Sequence, residues 1–179
     1  IEDIPVYKYG FELLLSTVAN LLVMLILAIS MKALHEAVLF CVAFIPLRVM
    51  AGGYHAKHHW SCILIFNSSY LGFVVLLNNN QELMNYFYIF SAIISFFIVW
   101  TLAPMEAVNK PLKNWERDYQ RRRSRIYCFI NLIVAFFAAI LKVYLSIPID
   151  ITILNFYFSG VLVASLSLFL AKISQKLSS

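Results

Sequence analysis

Residues 48–62 of the chain are Arg48-Val49-Met50-Ala51-Gly52-Gly53-Tyr54-His55-Ala56-Lys57-His58-His59-Trp60-Ser61-Cys62, and they lie between two apolar runs. Three histidines, a cysteine, an arginine, a lysine and a glycine pair fall within these 15 residues. Polar and ionisable side chains are expensive to place at membrane depth, and there they mark functional sites. This stretch therefore separates two helical runs and is the candidate functional site.

The composition of the chain is that of an integral membrane protein. Of its 179 residues, 62% are hydrophobic and only 13% are charged. Soluble domains are about 45–50% apolar and about 25% charged. The three cysteines (Cys41, Cys62 and Cys128) are an odd number without paired spacing, so no disulfide framework is expected. Cys41 and Cys128 fall in apolar runs and are expected to be small buried hydrophobes.

Six apolar segments are long enough, or nearly so, to cross a bilayer as helices, which takes about 20 residues. They are 11–30, 33–47, 62–77, 86–103, 126–145 and 151–171. The sequence therefore predicts an all-α, polytopic membrane protein with six transmembrane helices and a catalytic loop between the second and third. Residues 1–179 are expected to form a single membrane-embedded domain.

The basic residues predict the orientation of these six helices. Twelve of the 14 lysines and arginines fall on the side that carries both termini, the 48–62 stretch and the 104–125 segment. Only Lys32 and Lys142 fall on the other side. Because lysine and arginine concentrate in cytoplasmic loops, both termini and the candidate site are expected to face the cytoplasm.

The segments on either side of the candidate site are shorter than a typical span. Residues 33–47 and 62–77 number about 15 and 16, against about 20 for a span. A short helix that leads into Gly52-Gly53 predicts a loop that dips into the membrane, which is tolerated where the backbone lines a protected cavity.

His55 and Cys62 could form a catalytic pair. Seven residues apart on one straight helix, they would be about 10 Å apart, too far for proton transfer. The chain must therefore turn between Lys57 and Ser61. With Ser61 as the N-cap of the third span, Cys62 would lie at a helix N-terminus, where the helix dipole and nearby cations such as Arg48 favour the thiolate.

In that arrangement His55 would be the general base, and backbone N–H groups at the helix end could bind the oxyanion. Gly52-Gly53 would let the backbone approach a peptide closely or adopt positive φ.

The residues alone leave two alternatives to cysteine catalysis. The side chains of His55, His58, His59 and Cys62 could bind Zn²⁺, as in a metal-binding protein or a transporter. Against this, the stretch contains no carboxylate and no His-Glu-x-x-His pattern. Alternatively, the loop could be structural, with its histidines and Trp60 anchored among lipid headgroups.

Two stretches resemble the signatures of a known family. The pattern Arg48-x-x-x-Gly52-Gly53-x-His55-Ala56, followed by Trp60-x-Cys62, resembles the accessory gene regulator B (AgrB) family of bacterial membrane cysteine endopeptidases in Gram-positive quorum sensing. The pattern Ala103-Pro104-x-Glu106-x-x-Asn109-Lys110-Pro111 resembles the second stretch of that family. The resemblance implies that His55 and Cys62 are catalytic, that Arg48 and Gly53 support them, and that the protein lies in the bacterial cell membrane without a cofactor.

The resemblance also implies a substrate and a reaction. The substrate would be an AgrD-like propeptide with an amphipathic N-terminal part, a signal segment and an acidic C-terminal tail. Cys62 would attack the carbonyl that precedes the tail and form an acyl-enzyme. A nucleophile within the peptide would then displace Cys62 and close a thiolactone or lactone ring.

A third catalytic residue is not evident from the sequence. By the predicted topology, the carboxylates that could orient His55 are Glu12, Glu106, Glu116 and Asp118, of which Glu106 is the best candidate. Glu106 could equally be an ordinary interfacial carboxylate at a helix end.

The segment 104–125 carries seven basic and three acidic residues. The spacing of Trp115, Tyr119 and Ile126 predicts a helix lying on the membrane surface, where the basic residues would contact anionic lipids of the cytoplasmic leaflet. A further hypothesis is that this cationic surface binds the acidic substrate tail. The residues assigned to that role are Lys57, Arg121, Arg122 and Arg123.

Other partners receive less support from the sequence. Nucleic-acid binding is not expected, because no fold or aromatic platform accompanies the charge. A second copy of the chain could pack against the apolar spans as a homodimer, although no Gly-x-x-x-Gly motif is present.

Overall fold

The computed structural model describes the backbone of residues 4–52, 59–80, 84–105, 113–144 and 150–178, and the side chains of residue 11 and residues 14–52, 63–80, 84–105, 113–144 and 150–173. Six α-helices account for nearly all of these residues, and no strand is found among them. This confirms the predicted all-α class. The helices are α1 (Ile4–Ser30), α2 (Leu34–Ala51), α3 (His59–Asn79), α4 (Phe87–Leu102), α5 (Asn114–Tyr144) and α6 (Ile151–Ser178).

Three of the helices are long and apolar enough to cross a membrane. They are α2, α5 and the Ile151–Ile173 part of α6, and the other apolar stretches found within the described residues are the shorter Leu14–Ser30, Ile63–Asn79 and Phe87–Leu102. Large apolar side chains such as Phe129 and Phe137 are exposed on the bundle surface. These features indicate a membrane protein, while six complete crossings stay a prediction.

Four helices form the centre of the bundle and two pack beside it. α6 contacts α2 and α4 most extensively, and α4 also packs on α5. α1 packs on α2 and α3. One apolar cluster fills the space between the central helices and includes Leu47, Val99 and Leu168. A second cluster, which includes Phe40 and Tyr70, joins α1 and α3 to the centre.

Among the described glycines, Gly160 of α6 approaches a neighbouring helix most closely, and that helix is α2. A Cβ built on Gly160 would overlap the carbonyl oxygen of Phe40 and would lie 3.1 Å from the Cβ of Ala43. Membrane helices associate without a hydrophobic force between them, so small residues that bring backbones together are a main source of packing energy. Gly160 therefore sets the distance between α2 and α6.

Contacts between helices show which helix ends lie together at each end of the bundle. At one end Arg125 of α5 donates to the carbonyl oxygen of Trp100 in α4. At the other end Lys142 of α5 donates to Asn85, which precedes α4. This grouping agrees with the predicted topology, although the side of the membrane that each end faces stays a prediction. The first end is called the basic end below, and its described basic side chains are Arg48, Lys113, Arg117, Arg121, Arg122, Arg123, Arg125 and Lys172.

Three predictions about helix boundaries are wrong. The polar segment before residue 126 is not a separate surface-lying helix, because α5 runs without interruption from Asn114 to Tyr144. This part of the sequence contains no glycine or proline that would break it. α2 and α3 are 18 and 21 residues long, so neither is as short as predicted. The predicted dip of the loop into the membrane falls on residues 53–58, which lie outside the described residues, and stays a prediction.

We expect Gly160→Ala to destabilise the protein, because its new methyl group forces α2 and α6 apart. Overpacking of this kind typically costs about 1–3 kcal/mol. Gly72→Ala is the matched control, since a Cβ built on Gly72 meets no atom within 4 Å. Both variants gain the same helix propensity. Thermal unfolding in detergent should show a lower melting temperature for Gly160→Ala alone. Equal melting temperatures would contradict this role for Gly160.

Candidate active site

In the sequence, the predicted catalytic pair falls between the end of α2 and the first turn of α3. His55 lies outside the described residues, as do Gly53, Lys57 and His58. The backbone of Cys62 falls in the first turn of α3, which begins at His59. Ser61 is therefore inside the helix and is not its N-cap as predicted. The structure describes the contacts at the end of α2 and the backbone of the first turn of α3.

Gly52 ends α2 and fixes the start of the loop. Its φ of +76° is a conformation that residues with a Cβ rarely adopt. Its N–H donates to the carbonyl oxygen of Arg48 at 3.1 Å. A Cβ built here would overlap the carbonyl oxygen of Met105. Both the backbone angle and the close approach therefore require glycine at position 52, and the positive φ is one of the two uses predicted for the glycine pair; Gly53 lies outside the described residues.

The chain beyond α4 pairs with the end of α2. Gly52 and Met105 form a parallel bridge, and the N–H of Met105 donates to the carbonyl oxygen of Ala51 at 2.9 Å. The second stretch that resembles the AgrB family thus meets the first one in space. Glu106 follows Met105 directly, and the position of Glu106 itself lies outside the described residues.

Arg48 ties the start of the loop to α6. Its Nη1 donates to the carbonyl oxygen of Gly52 at 3.0 Å and to Oγ of Ser167 at 3.0 Å. Oγ of Ser167 in turn donates to the carbonyl oxygen of Ala164 at 2.6 Å. Arg48 was predicted to act on the thiol through its charge. In the structure its guanidinium holds the backbone at the end of α2.

Ser167 is a site residue that sequence reasoning missed. It is one of several serines in the apolar run of α6, and nothing in its local sequence distinguishes it. Only the chain path that brings α6 beside the end of α2 shows its contact with Arg48. Its spacing of 119 residues from Arg48 means that no local pattern could have revealed the pair.

Aromatic contacts dock the start of α5 at this end of the bundle. The guanidinium of Arg125 lies 4.6 Å from the ring centroid of Trp100, and its Nη2 donates to the carbonyl oxygen of the same residue at 2.8 Å. The hydroxyl of Tyr127 donates to the carbonyl oxygen of Ala43 at 3.2 Å. These contacts hold the basic first half of α5 beside the end of α2.

The three arginines assigned to the substrate tail point in different directions. Successive residues of a helix are about 100° apart, so Arg121, Arg122 and Arg123 cannot share one face. Arg123 donates to the hydroxyl of Tyr119 at 3.0 Å. Arg121 lies 3.9 Å from a carboxylate oxygen of Asp118 in an exposed ion pair. Tail binding by these arginines stays a prediction, as does that by Lys57.

The alternative of a metal site stays untested. Among the described residues no group of three or more histidine, cysteine, aspartate or glutamate side chains could hold an ion. Of the four proposed ligands, however, His55 and His58 lie outside those residues, and only the backbone is described for His59 and Cys62.

The other two cysteines lie away from the loop. Cys128 is buried, as predicted, in the apolar cluster of the central helices. Cys41 is only half-buried, and its Sγ lies 3.3 Å from the sulfur of Met24. Both are free thiols.

These features define a class of all-helical membrane proteins in which histidines occur in the sequence between the second and third helices and a cysteine follows in the first turn of the third. The chain belongs to the accessory gene regulator B family, whose model matches residues 1–172. The predicted resemblance to that family is thereby confirmed.

Curated relatives agree with this family. The chain is 27% identical over 143 residues to the putative AgrB-like protein 2 of Clostridium perfringens strain 13, covering 74% of this chain and 67% of the relative. It is 26% identical over 131 residues to the protein FsrB of Enterococcus faecalis, covering 73% of this chain and 54% of the relative. The chain thus spans about two-thirds of the first relative and about half of the second. No solved structure matches the chain significantly.

We expect Arg48 and Ser167 to be energetically coupled. Hydrogen bonds to charged groups contribute about 1.5–3 kcal/mol, so a double-mutant cycle of Arg48→Met and Ser167→Ala should give a coupling of about 1–2 kcal/mol. Unfolding of the purified protein in detergent provides the four free energies.

The control cycle pairs Arg48→Met with Ser165→Ala. Ser165 lies on the same helix, and its hydroxyl bonds to Ser95 and to the carbonyl oxygen of Leu162. This second cycle should show no coupling. Equal coupling energies in the two cycles would mean that the Arg48–Ser167 hydrogen bond contributes nothing specific.

Proposed function

We propose that this protein is a membrane cysteine endopeptidase that removes the C-terminal tail of an AgrD-like quorum-sensing propeptide and leaves a cyclic peptide. Membership of the accessory gene regulator B family supports the substrate class. The observation that carries the proposal is the break between α2 and α3, which contains His55 and is followed by Cys62 in the first turn of α3.

A catalytic pair of His55 and Cys62 requires that the two residues do not share one continuous helix. On one continuous helix His55 and Cys62 would be too far apart, but α3 begins only at His59. His55 is three residues beyond Gly52, so its Cα lies within about 11 Å of a fixed point. The loop can therefore fold back and place the imidazole against the thiol of Cys62.

The proposed roles follow from this placement. Cys62 lies near the positive end of the α3 dipole, where a thiolate is favoured. His55 takes the thiol proton and returns it to the leaving amine. Arg48 and Gly52 support the pair by fixing the backbone from which the loop departs. Glu106, next to the bridge between Met105 and Gly52, is proposed to orient His55.

The reaction proceeds in two acyl transfers. The thiolate of Cys62 attacks the carbonyl before the tail, the C–N bond breaks, and the protonated tail amine leaves a thioester on Cys62. A thiol or hydroxyl of the bound peptide then attacks the thioester carbonyl, and Cys62 departs as a thiolate. With a thiol nucleophile, one thioester is exchanged for another, so the second step needs no added energy source.

The remaining assignments complete the proposal. The basic end faces the cytoplasm of a bacterial cell, where its arginines contact anionic lipids. Residues 1–179 act as one peptidase domain without a cofactor, and a homodimer is compatible with the exposed apolar helix faces.

We expect Cys62→Ala and His55→Ala each to reduce tail removal at least about a thousandfold, because each removes an essential part of the nucleophilic pair. The measurement is release of a C-terminal fluorophore from co-reconstituted AgrD-type propeptides in proteoliposomes. Cys41→Ala and Cys128→Ala are the matched thiol controls and should retain cleavage after correction for folded protein. Normal cleavage by Cys62→Ala or His55→Ala would reject the proposal.

We expect a propeptide whose internal nucleophile is replaced by alanine to stall as an acyl-enzyme. With ring closure blocked, the thioester should accumulate on Cys62 and increase the intact mass of the protein by that of the tail-free peptide less one water. Hydroxylamine should remove this mass increase, and Cys62→Ser should retain it as a hydroxylamine-resistant ester if it reacts at all. A mass increase located on Cys41 or Cys128 would contradict the assignment of Cys62.

A further inference from the structure

A groove at the basic end lies between the last turn of α2 and the first turns of α5. Val49 and Met50 of α2 form one wall, and Trp115, Tyr119 and Arg123 of α5 form the other. Its volume of about 280 Å³ is near the lower limit of ligand pockets, which hold about 300–1,000 Å³.

One face of α5 lines this groove. Residues 116, 119, 120 and 123 recur at the spacing of a single helical face. Arg121 and Arg122 therefore point elsewhere, and Arg123 is the arginine of this run that lines the groove. The aromatic side chains are largely uncovered, with Trp115 66% exposed and Tyr119 55% exposed.

The side chain of Arg123 in the groove is held in place by Tyr119. The guanidinium of Arg123 lies 5.2 Å from the ring centroid of Tyr119, and its Nη1 donates to the hydroxyl of that residue at 3.0 Å. A guanidinium carries five N–H donors in a planar fork that matches a carboxylate. The carboxylate of Glu116 accepts the backbone N–H of Lys113 at 2.9 Å, at the N-terminus of α5, which offsets its charge.

We propose that this groove binds the peptide segment that follows the scissile bond, with an apolar side chain against Val49 and Trp115 and an acidic side chain on Arg123. This inference rests on the proposed peptidase function. In this proposal the groove binds the leaving segment, while Cys62 breaks the peptide bond. The residues of the groove lie outside the catalytic loop.

The position of the groove favours a peptide as its occupant. Val49 is three residues before Gly52, a rise of about 4.5 Å along α2, so the groove is continuous with the start of the catalytic loop. An extended peptide advances about 3.3–3.6 Å per residue. Residues a few positions beyond a bond held over the loop would therefore reach the groove without any change in the helices.

The test is photocrosslinking of the full chain in lipid nanodiscs, with p-benzoylphenylalanine in place of Val49 or, as the control, of Val143. The two valines are equally exposed, at 72% and 71%, and Val143 lies near the other end of α5. The probes are two short peptides, one of alternating leucine and glutamate and one of alternating leucine and lysine. Mass spectrometry identifies whether peptide or lipid is attached.

We expect the leucine–glutamate peptide to crosslink at position 49 severalfold more than at position 143, and more than the leucine–lysine peptide. Arg123→Gln should reduce this crosslink severalfold, whereas Lys142→Gln, which removes a charge at the far end of the same helix, should not. Crosslinks to lipid alone at position 49, or equal capture of the two peptides, would overturn the proposal.

The experiment distinguishes a groove that does not bind the peptide from a protein that is not a peptidase. Binding of these peptides needs no catalysis, and tail removal by the unaltered chain is measured in the same nanodiscs. Cleavage without the crosslink at position 49 would overturn peptide binding by the groove but not the proposed peptidase function. A crosslink without cleavage would overturn the peptidase and, with it, the assignment of the groove to a leaving segment.

Discussion

The frame of the candidate site depends on the guanidinium of Arg48, which joins two helices and a loop. It donates to the carbonyl oxygen of Gly52 and to the hydroxyl of Ser167, each at 3.0 Å. A cation that is half-buried at the end of a membrane bundle is tolerated where neighbouring acceptors replace lost water. Here those acceptors belong to α6 and to the first residue after α2. The need to satisfy the charge therefore fixes where α2 stops relative to α6.

Hydrogen bonds from other parts of the chain fix the backbone at the C-terminal end of α2. The last carbonyl groups of a helix lack partners within it and must find others. The carbonyl oxygen of Ala51 accepts from Met105, and that of Gly52 accepts from Arg48. Both carbonyl groups are therefore satisfied, and the positive φ of Gly52 sets the backbone direction at the end of α2.

Among the described residues, the sequence predicted the order and approximate positions of the six helices well, because each contains an apolar run that is easy to locate. It predicted the ends poorly, because hydropathy marks the apolar part of a helix and not its full extent. Asn114 begins α5 twelve residues before the predicted span, since polar residues without a breaker simply continue the helix. The candidate site was located from residue chemistry and family resemblance. The contact of Arg48 with Ser167 and the pairing of Gly52 with Met105 could not be predicted, since both join residues far apart in the chain.

A peptidase that closes a ring must prevent water from taking the acyl group, and the proposed arrangement offers a physical reason why ring closure would win. Well-oriented intramolecular nucleophiles react with effective concentrations of about 10⁵–10⁸ M, far above that of bulk water. This advantage exists only while the acylated peptide is held with its own nucleophile near the thioester. The first acyl transfer releases the tail, so the retained part of the peptide must be positioned by the loop and its fixed support at Gly52. A fixed backbone at Gly52 would therefore be more useful for cyclisation than for simple hydrolysis, in which any water molecule can complete the reaction.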